Sequence, residues 1–172
     1  MGGVVGGYME LLDVYDIDRN KTGRVINRGD NILQGEYLLV VHLCVFNSEK
    51  KVLIQRRAYT KDKYPGIWDL SAGGFAKSGE SSLEAIMREA KEELGISCES
   101  EDFRFVLTEP FSFVFDDIYI TQQELGADDI SFQTEEICEV RFETQDAVIA
   151  MIKKGEFVDY SIEMMKKVFS KI

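Results

Sequence analysis

Residues 74–96, GFAKSGESSLEAIMREAKEELGI, constrain this chain more than any other segment, because they encode one short capped helix with its acids and its oil on separate faces. Taking about 100° per residue and setting Glu89 at zero, Glu93 falls near 40° and Glu92 near 300°. Leu83, Ile86, Met87, Ala90 and Leu94 fall between roughly 60° and 160°, a stripe suited to packing on a core. Ser81 followed by Glu84 fits a capping box, so the helix is expected to start there and to end at Leu94, with Gly95 in the C′ position. Three carboxylates within one turn repel one another unless a cation lies among them. Hard oxygen donors of this kind favour Mg²⁺ or Mn²⁺ over softer metals.

The same segment resembles the Nudix box, G-x5-E-x7-R-E-U-x-E-E-x-G-U with U an apolar residue. It matches at Gly74, Glu80, Arg88, Glu89, Ala90, Glu92, Glu93, Gly95 and Ile96. Multiplying ordinary residue frequencies gives a chance match on the order of one in a million. Ala90, small where a bulkier aliphatic is common, is a mild departure. The resemblance implies an α/β/α sandwich of the α+β kind, with a mixed β-sheet and the box helix packed against it. It also implies an enzyme that uses water and a divalent metal to cleave a nucleoside diphosphate joined to another moiety. On that reading Glu92 and Glu93 bind Mg²⁺ or Mn²⁺ directly. Glu89 either completes the metal shell or takes the proton from the attacking water, and Gly73 or Gly74 lends a backbone carbonyl. Arg88 is held among nearby carboxylates, and Glu80 serves structure by pairing with Arg88 or a backbone amide.

The whole chain agrees with a small globular enzyme. At 172 residues it can bury one good core and is short for two domains. Met1 to Gly7, MGGVVGG, resembles no folded element; residues 1–8 read as a disordered or added extension and 9–172 as one domain. The longest apolar run, Leu38 to Phe46, is too short to span a bilayer, and no charged-then-apolar signal opens the chain, so a soluble cytoplasmic protein is expected. Cys44, Cys98 and Cys138 are odd in number and lack C-x-x-C spacing, which argues against a disulfide framework or a zinc site and suggests small core residues or inert thiols. A net charge of −11 repels polyanions, which excludes an extended nucleic-acid surface but leaves a small phosphorylated substrate compatible.

Hydrophobic periodicity places the box within a run of strands. Leu11 to Asp16 and Arg24 to Asn27 read as a hairpin, Tyr37 to Phe46 as a buried strand, and Lys51 to Arg57 as its hairpin partner. Ile67 to Ala72 is expected to be one short strand leading into Gly73 and Gly74. Phe103 to Leu107 and Phe111 to Thr121 read as strands broken by Pro110, and Ile137 to Phe142 as a further strand. Thr144 caps a helix to about Lys153, and Tyr160 to Phe169 suggests a terminal one. Strands interrupted by one helix and closed by two argue for a mixed sheet between helices.

Other candidates follow from residue type. Basic residues are scarce, so the cluster Gln55, Arg56, Arg57, Lys61 and Lys63 is informative. Arg56 or Arg57 could grip phosphate with its planar fork, though strand alternation means only one need face the site. Trp68 could stack on a substrate base, its alternative being a core role, and Tyr64 is placed similarly. Among Gln133, Thr134, Glu135 and Glu136, Glu136 is the preferred candidate for a second catalytic carboxylate on a later loop. Asp116 and Asp117 are weaker candidates for that carboxylate and read as turn or edge residues, and Phe111, Phe113 and Phe115 as one buried face. His42, the lone histidine, is expected to be a buried, hydrogen-bonded structural residue.

QRRAYTKDKYPGIWDLSAGG and LLDVYDIDRNKTGRVINRGD look like the Nudix branch related to isopentenyl diphosphate isomerases, so the resemblance extends over most of residues 10–155. Those isomerases use a cysteine before the box helix and several histidine ligands. Here that neighbourhood reads Asp69, Leu70, Ser71, Ala72, and only His42 exists. A non-catalytic nucleotide-binding module usually loses box acids, all of which remain. RNA decapping shares the box but suits this acidity poorly. A homodimer is the assembly that relatives suggest.

Overall fold

Strand β3 (Leu38–Phe46) is the spine on which the rest is hung. The computed structural model describes residues 10–125, 129–132 and 134–172; the extension read at residues 1–8 and the candidate Gln133 lie outside them. Along β3, successive side chains alternate faces. Val41, Leu43 and Val45 join a core cluster with Ala85, Ile86, Ala90 and Leu94 of α1 (Ser82–Leu94). Cys44 and Phe46 join a second cluster with Val148, Met151, Met164, Met165 and Val168 of α2 (Gln145–Lys154) and α3 (Ile162–Phe169). One sheet thus lies between the box helix and the two late helices, the expected layered α+β arrangement.

The sheet is mixed. β3 runs parallel to β8 (Val114–Gln122) in unbroken register from Leu38↔Val114 to Phe46↔Gln122, and β8 pairs antiparallel with β7 (Arg104–Phe111). On its other edge β3 pairs with β6 (Ala72–Phe75), from Val40↔Phe75 to Leu43↔Ala72. It meets β4 (Val52–Arg57) only at Phe46↔Val52. The expected hairpin of these two strands is present but splays after this pair, because β6 occupies the rest of that edge. β4 instead pairs with β5 (Trp68–Asp69) and β9 (Ile137–Glu143). The single strand expected at Ile67 to Ala72 is likewise two short ones. Between them the buried Ser71 hydroxyl accepts from Val45 N at 2.8 Å and donates to Leu53 O at 2.5 Å, bridging the gap where β3 and β4 part. β1 (Leu11–Tyr15) and β2 (Lys21–Asn27) form a separate hairpin over Leu12, Val14, Ile26 and Leu38.

Three further expectations are corrected. Pro110 lies inside β7, opposite Phe115, which is tolerable because β7 is an edge strand. Phe111 and Phe113 are exposed, because a turn with Ser112 at φ 53° interrupts the run; only Phe115 turns inward, stacking on Tyr37 at 4.9 Å. Asp116 and Asp117, taken for turn or edge residues, are buried in β8 between two strands. Cys44 is buried as expected, whereas Cys138 is exposed. Among the described residues, no helix is long and apolar enough to cross a membrane.

Candidate active site

The box helix starts where its sequence requires. Ser81 accepts from Glu84 N at 3.2 Å, the Glu84 carboxylate accepts from Ser81 N at 2.8 Å, and Gly95 closes the helix at φ 69°. These caps are worth about 1 kcal/mol each and fix which residues face the sheet. Leu94, Ile86 and Ala90 anchor the inner face, and Glu89 is drawn in beside them, only 8% exposed.

Glu89, Glu92 and Glu93 line one cavity of about 250 Å³ with Gly73, Gly74, Arg88, Arg57, Lys61 and Glu136. Glu10 and Arg28 close it from the β1–β2 hairpin. Glu93 Oε2 accepts from Gly73 N and from Gln55 Nε2, each at 3.1 Å. Arg88 spans the acids: it reaches Glu80 at 2.7 Å, Glu89 at 2.7 Å, Glu92 at 3.1 Å and the Phe75 carbonyl at 3.0 Å. The expected Glu80 pairing with Arg88 is present, and Glu80 also accepts from Lys77 N at 2.8 Å. Burial would push the Glu80 carboxyl up, but these donors outweigh it and hold its pKa below the usual range. Lys61 forms an ion pair with Glu136 across the opening.

Burial and the neighbouring Glu89 charge push Glu93 up to about 7, against the pull of the Gly73 and Gln55 donors. Glu89 is raised as well, first by burial, with Arg88 opposing. Two partly desolvated carboxylates with raised pKa values mark a place where negative charge lacks sufficient compensation.

The two glycines permit this crowding. A Cβ on Gly74 would overlap the Glu89 carboxylate, and one on Gly73 would overlap the His42 ring. Among the described residues no three His, Cys, Asp or Glu side chains already converge as a metal shell, because Arg88 lies between Glu89 and Glu92. The donor set still fits a hard divalent cation. It offers carboxylate oxygens on adjacent turns of one helix, a glycine pair against which Glu89 lies, which is extended β6 strand where a tight turn was expected, and raised acids that a cation would relieve.

Arg56 and Trp68, taken as substrate-binding candidates, lie away from the acidic cavity. Strand alternation turns Arg56 to the far face of β4, where its guanidinium lies 5.9 Å from the Trp68 ring and 5.2 Å from that of Tyr59. There they border a separate cavity with Glu139, Arg141, Met151 and Glu156. Trp68 is buried beneath Arg141, 4.2 Å from its ring, so the indole presents no open face to the acidic cavity. Tyr64 is an exposed turn residue at φ 53°.

His42 is bonded as expected, but its partners come from distant segments. Nδ1 lies 2.7 Å from Asp116 Oδ1 and Nε2 lies 3.1 Å from the Tyr160 hydroxyl. Burial would lower its pKa, yet the charge and hydrogen bond of Asp116, helped by Asp69 and Glu93, raise it to about 9. Asp117 is instead tied to Arg19, Ser82 and Thr108, a structural knot at the foot of the box helix. Asp69, Tyr160, Glu10 and Arg28 escaped the sequence reading. For the last two a signal existed, since the hairpin register Leu11↔Asn27, extended by one residue, sets Glu10 opposite Arg28.

Residues 36–165 match the NUDIX domain family. The chain is similar to an uncharacterized Nudix hydrolase of Listeria innocua, 39% identical over 152 residues, covering 88% of this chain and 90% of that protein. An isopentenyl-diphosphate Delta-isomerase of Clavibacter sepedonicus is 31% identical over 113 residues, covering 63% of this chain and 60% of that one. The fold is similar to the crystal structure of a Deinococcus radiodurans protein, with TM-score 0.79 and 26% identity, covering 92% of this chain and 98% of the other.

Proposed function

The chain belongs to the Nudix family and is a Nudix hydrolase; from that premise we propose that it catalyses Mg²⁺- or Mn²⁺-dependent hydrolysis of the diphosphate bond in a small nucleoside-diphosphate-like metabolite. The observation that carries this reading is one cavity that Glu89, Glu92 and Glu93 line together with Arg57, Lys61 and the β6 glycines Gly73 and Gly74. A diphosphate brings several negative charges, and an acidic cleft would reject it without cations.

Glu92 and Glu93 would hold the divalent ion, with a carbonyl of Gly73 or Gly74 beside them, and Glu89 would either join its ligands or serve as the base. When bound, the ion neutralises phosphate charge and polarises water and phosphorus. Arg57 and Lys61 take phosphate oxygens from the opposite wall, Arg57 by its planar fork. Water oxygen bonds to phosphorus as the anhydride P–O bond breaks, and the water proton passes to Glu89 or Glu136. Phosphate drawing Lys61 away from Glu136 leaves that carboxylate free to accept it. Arg88 pairs with both Glu89 and Glu92 and offsets part of their charge.

The test is product identification with nucleoside di- and triphosphates, sugar nucleotides, dinucleotides and coenzyme A, in Mg²⁺ or Mn²⁺. Cleavage lost in Glu92→Gln and Glu93→Gln supports the metal roles; full turnover in both rejects them. Loss of the pH-dependent base in Glu136→Gln rather than Glu89→Gln assigns the proton acceptor. Likeness to the Clavibacter isomerase favours a second reading, double-bond migration in isopentenyl diphosphate. Against it, Ser71 stands near the position of that family's thiol, and the sole histidine is engaged by Asp116 and Tyr160. Including isopentenyl diphosphate in the panel separates the two.

A further inference from the structure

Behind the cavity a line of polar side chains crosses the sheet interior: Asp116, His42, Tyr160, Asp69 and Arg57, contributed by β8, β3, the segment before α3, β5 and β4. The Tyr160 hydroxyl donates to Asp69 Oδ1 at 2.7 Å, and Leu70 N donates to the same oxygen at 2.8 Å. Asp69 Oδ2 faces Arg57 Nη1 at 3.5 Å, and Arg57 Nε donates to the Lys63 carbonyl at 3.1 Å.

Donor counting fixes the sense of this line. A hydroxyl has one proton to give, and Tyr160 gives it to Asp69. His42 Nε2 must then donate to the Tyr160 oxygen, while Nδ1 donates to the Asp116 carboxylate. Each hydrogen bond is satisfied only by an imidazole carrying both protons. The row then alternates in charge, Asp116 negative, His42 positive, Asp69 negative and Arg57 positive, with Tyr160 as the neutral link. A buried row so balanced is rigid, because breaking one contact leaves a desolvated group without a partner.

The row meets the site at two places. Arg57 lines the acidic cavity. The His42 ring lies directly beneath Gly73, whose N–H holds Glu93. Arg57 has four side-chain torsions and would sample many positions if unconstrained; Asp69 narrows them, and Tyr160 fixes Asp69 in turn.

We propose that Tyr160 is a positioning residue for phosphate binding: its hydroxyl, oriented by His42, sets the Asp69 carboxylate that holds Arg57 at the cavity wall. This rests on the reading of Arg57 as a phosphate-binding residue given above. Tyr160 lies more than a hundred residues from Arg57 in sequence and is not among the residues lining the cavity, so it reaches Arg57 through Asp69.

The experiment is a double-mutant cycle read by calorimetric binding of magnesium methylenediphosphonate, a diphosphate probe that is not cleaved. Tyr160→Phe keeps the ring and removes only the hydroxyl. It is expected to weaken probe binding about three- to tenfold, while in an Arg57→Ala background the same change has little effect. Asp69→Asn, which presents an amide to the guanidinium, serves as a second entry to the cycle and is expected to behave as Tyr160→Phe does. Equal losses with and without Arg57 overturn the proposal, as does unchanged binding in folded Tyr160→Phe. If Tyr160→Phe does not fold, the Asp69→Asn cycle decides by the same criterion. Because binding is read without turnover, failure of the hydrolase reading shows separately, as a wild-type protein that binds the probe and cleaves no diphosphate.

Discussion

Arg56 and Arg57 are neighbours in sequence, yet they belong to two different chemistries. On the far face of β4, cations and acids are matched against aromatic surface: Arg56 faces Glu139 at 3.5 Å, Arg141 reaches Glu143 at 2.9 Å, and Arg141 covers Trp68. On the near face, five acids and four cations line one cavity, and the two most buried of those acids have raised pKa values. On the far face both arginines have a carboxylate partner. On the near face acids outnumber cations, and the raised Glu89 and Glu93 would be relieved by added positive charge.

The largest effect that tests this contrast concerns Glu93. Glu93→Gln is expected to lower kcat/KM by on the order of a hundredfold or more, since a neutral amide is a poor ligand for a hard cation. The same variant should unfold at a higher denaturant concentration than the wild type near pH 8 in chelator, because it removes a buried carboxylate that burial and Glu89 make costly to ionise. Glu139→Gln on the far face should change neither reading appreciably. A Glu93→Gln protein that is both active and no more stable would erase the distinction.

Next in size is the arginine pair itself. Arg57→Ala should raise KM about tenfold, the loss of a charged hydrogen bond to phosphate, whereas Arg56→Ala should change KM by less than about twofold. Steady-state kinetics on the best substrate of the panel checks both, and a reversed order would mean that β4 turns its side chains oppositely in solution.

That one arginine and not the other enters the cavity was only half legible in the sequence. Period-two alternation said that the two diverge; which one goes inward depends on β4 leaving β3 after a single pair, and that follows from β6 taking the β3 edge. The box helix could be read almost to the residue, because Ser81, Glu84 and Gly95 act through bonds spanning a few positions. Lys61 and Glu136 were visible as candidates but not as a pair, being 75 residues apart. The row from Asp116 to Arg57 was invisible for the same reason: its five members come from five segments, and nothing local distinguishes a buried Asp69 from a turn aspartate. Phe111 and Phe113 misled in the opposite sense, since spacing alone cannot reveal that a turn at Ser112 ends the strand between them.

A smaller effect probes the buried row that joins the two faces. Because the folded pKa of His42 is raised from 6.5 to about 9, the folded state holds a proton that the unfolded state releases between those values. The stabilisation is therefore fully present below about pH 6.5 and is lost as pH rises through about 9. As this is the only histidine, one imidazole resonance reports it without assignment, and its midpoint should lie well above that of a free histidine. Asp116→Asn should bring the midpoint down, because the first favourable contribution to the shift is the Asp116 charge. A midpoint near 6.5 in the wild-type protein would show that the row is not charged as its hydrogen bonds require.

The smallest expected effect tests the claim that the far face serves structure alone. Arg141 lies 4.2 Å from the centre of the Trp68 ring and is also paired with Glu143, so Arg141→Ala removes a cation–π contact and a partly exposed ion pair together. The contact is worth about 0.5–1 kcal/mol at an exposed site and the ion pair little more than nothing. A fall in denaturation midpoint corresponding to about 1 kcal/mol, with kcat and KM unchanged, is the outcome expected if Trp68 is a packing residue. Since Trp68 is the only tryptophan, its fluorescence should respond to the loss of Arg141 and stay constant when magnesium methylenediphosphonate is added. Quenching by the probe would instead put substrate against the indole and return Trp68 to the binding site, moving the functional face of the sheet rather than merely enlarging it.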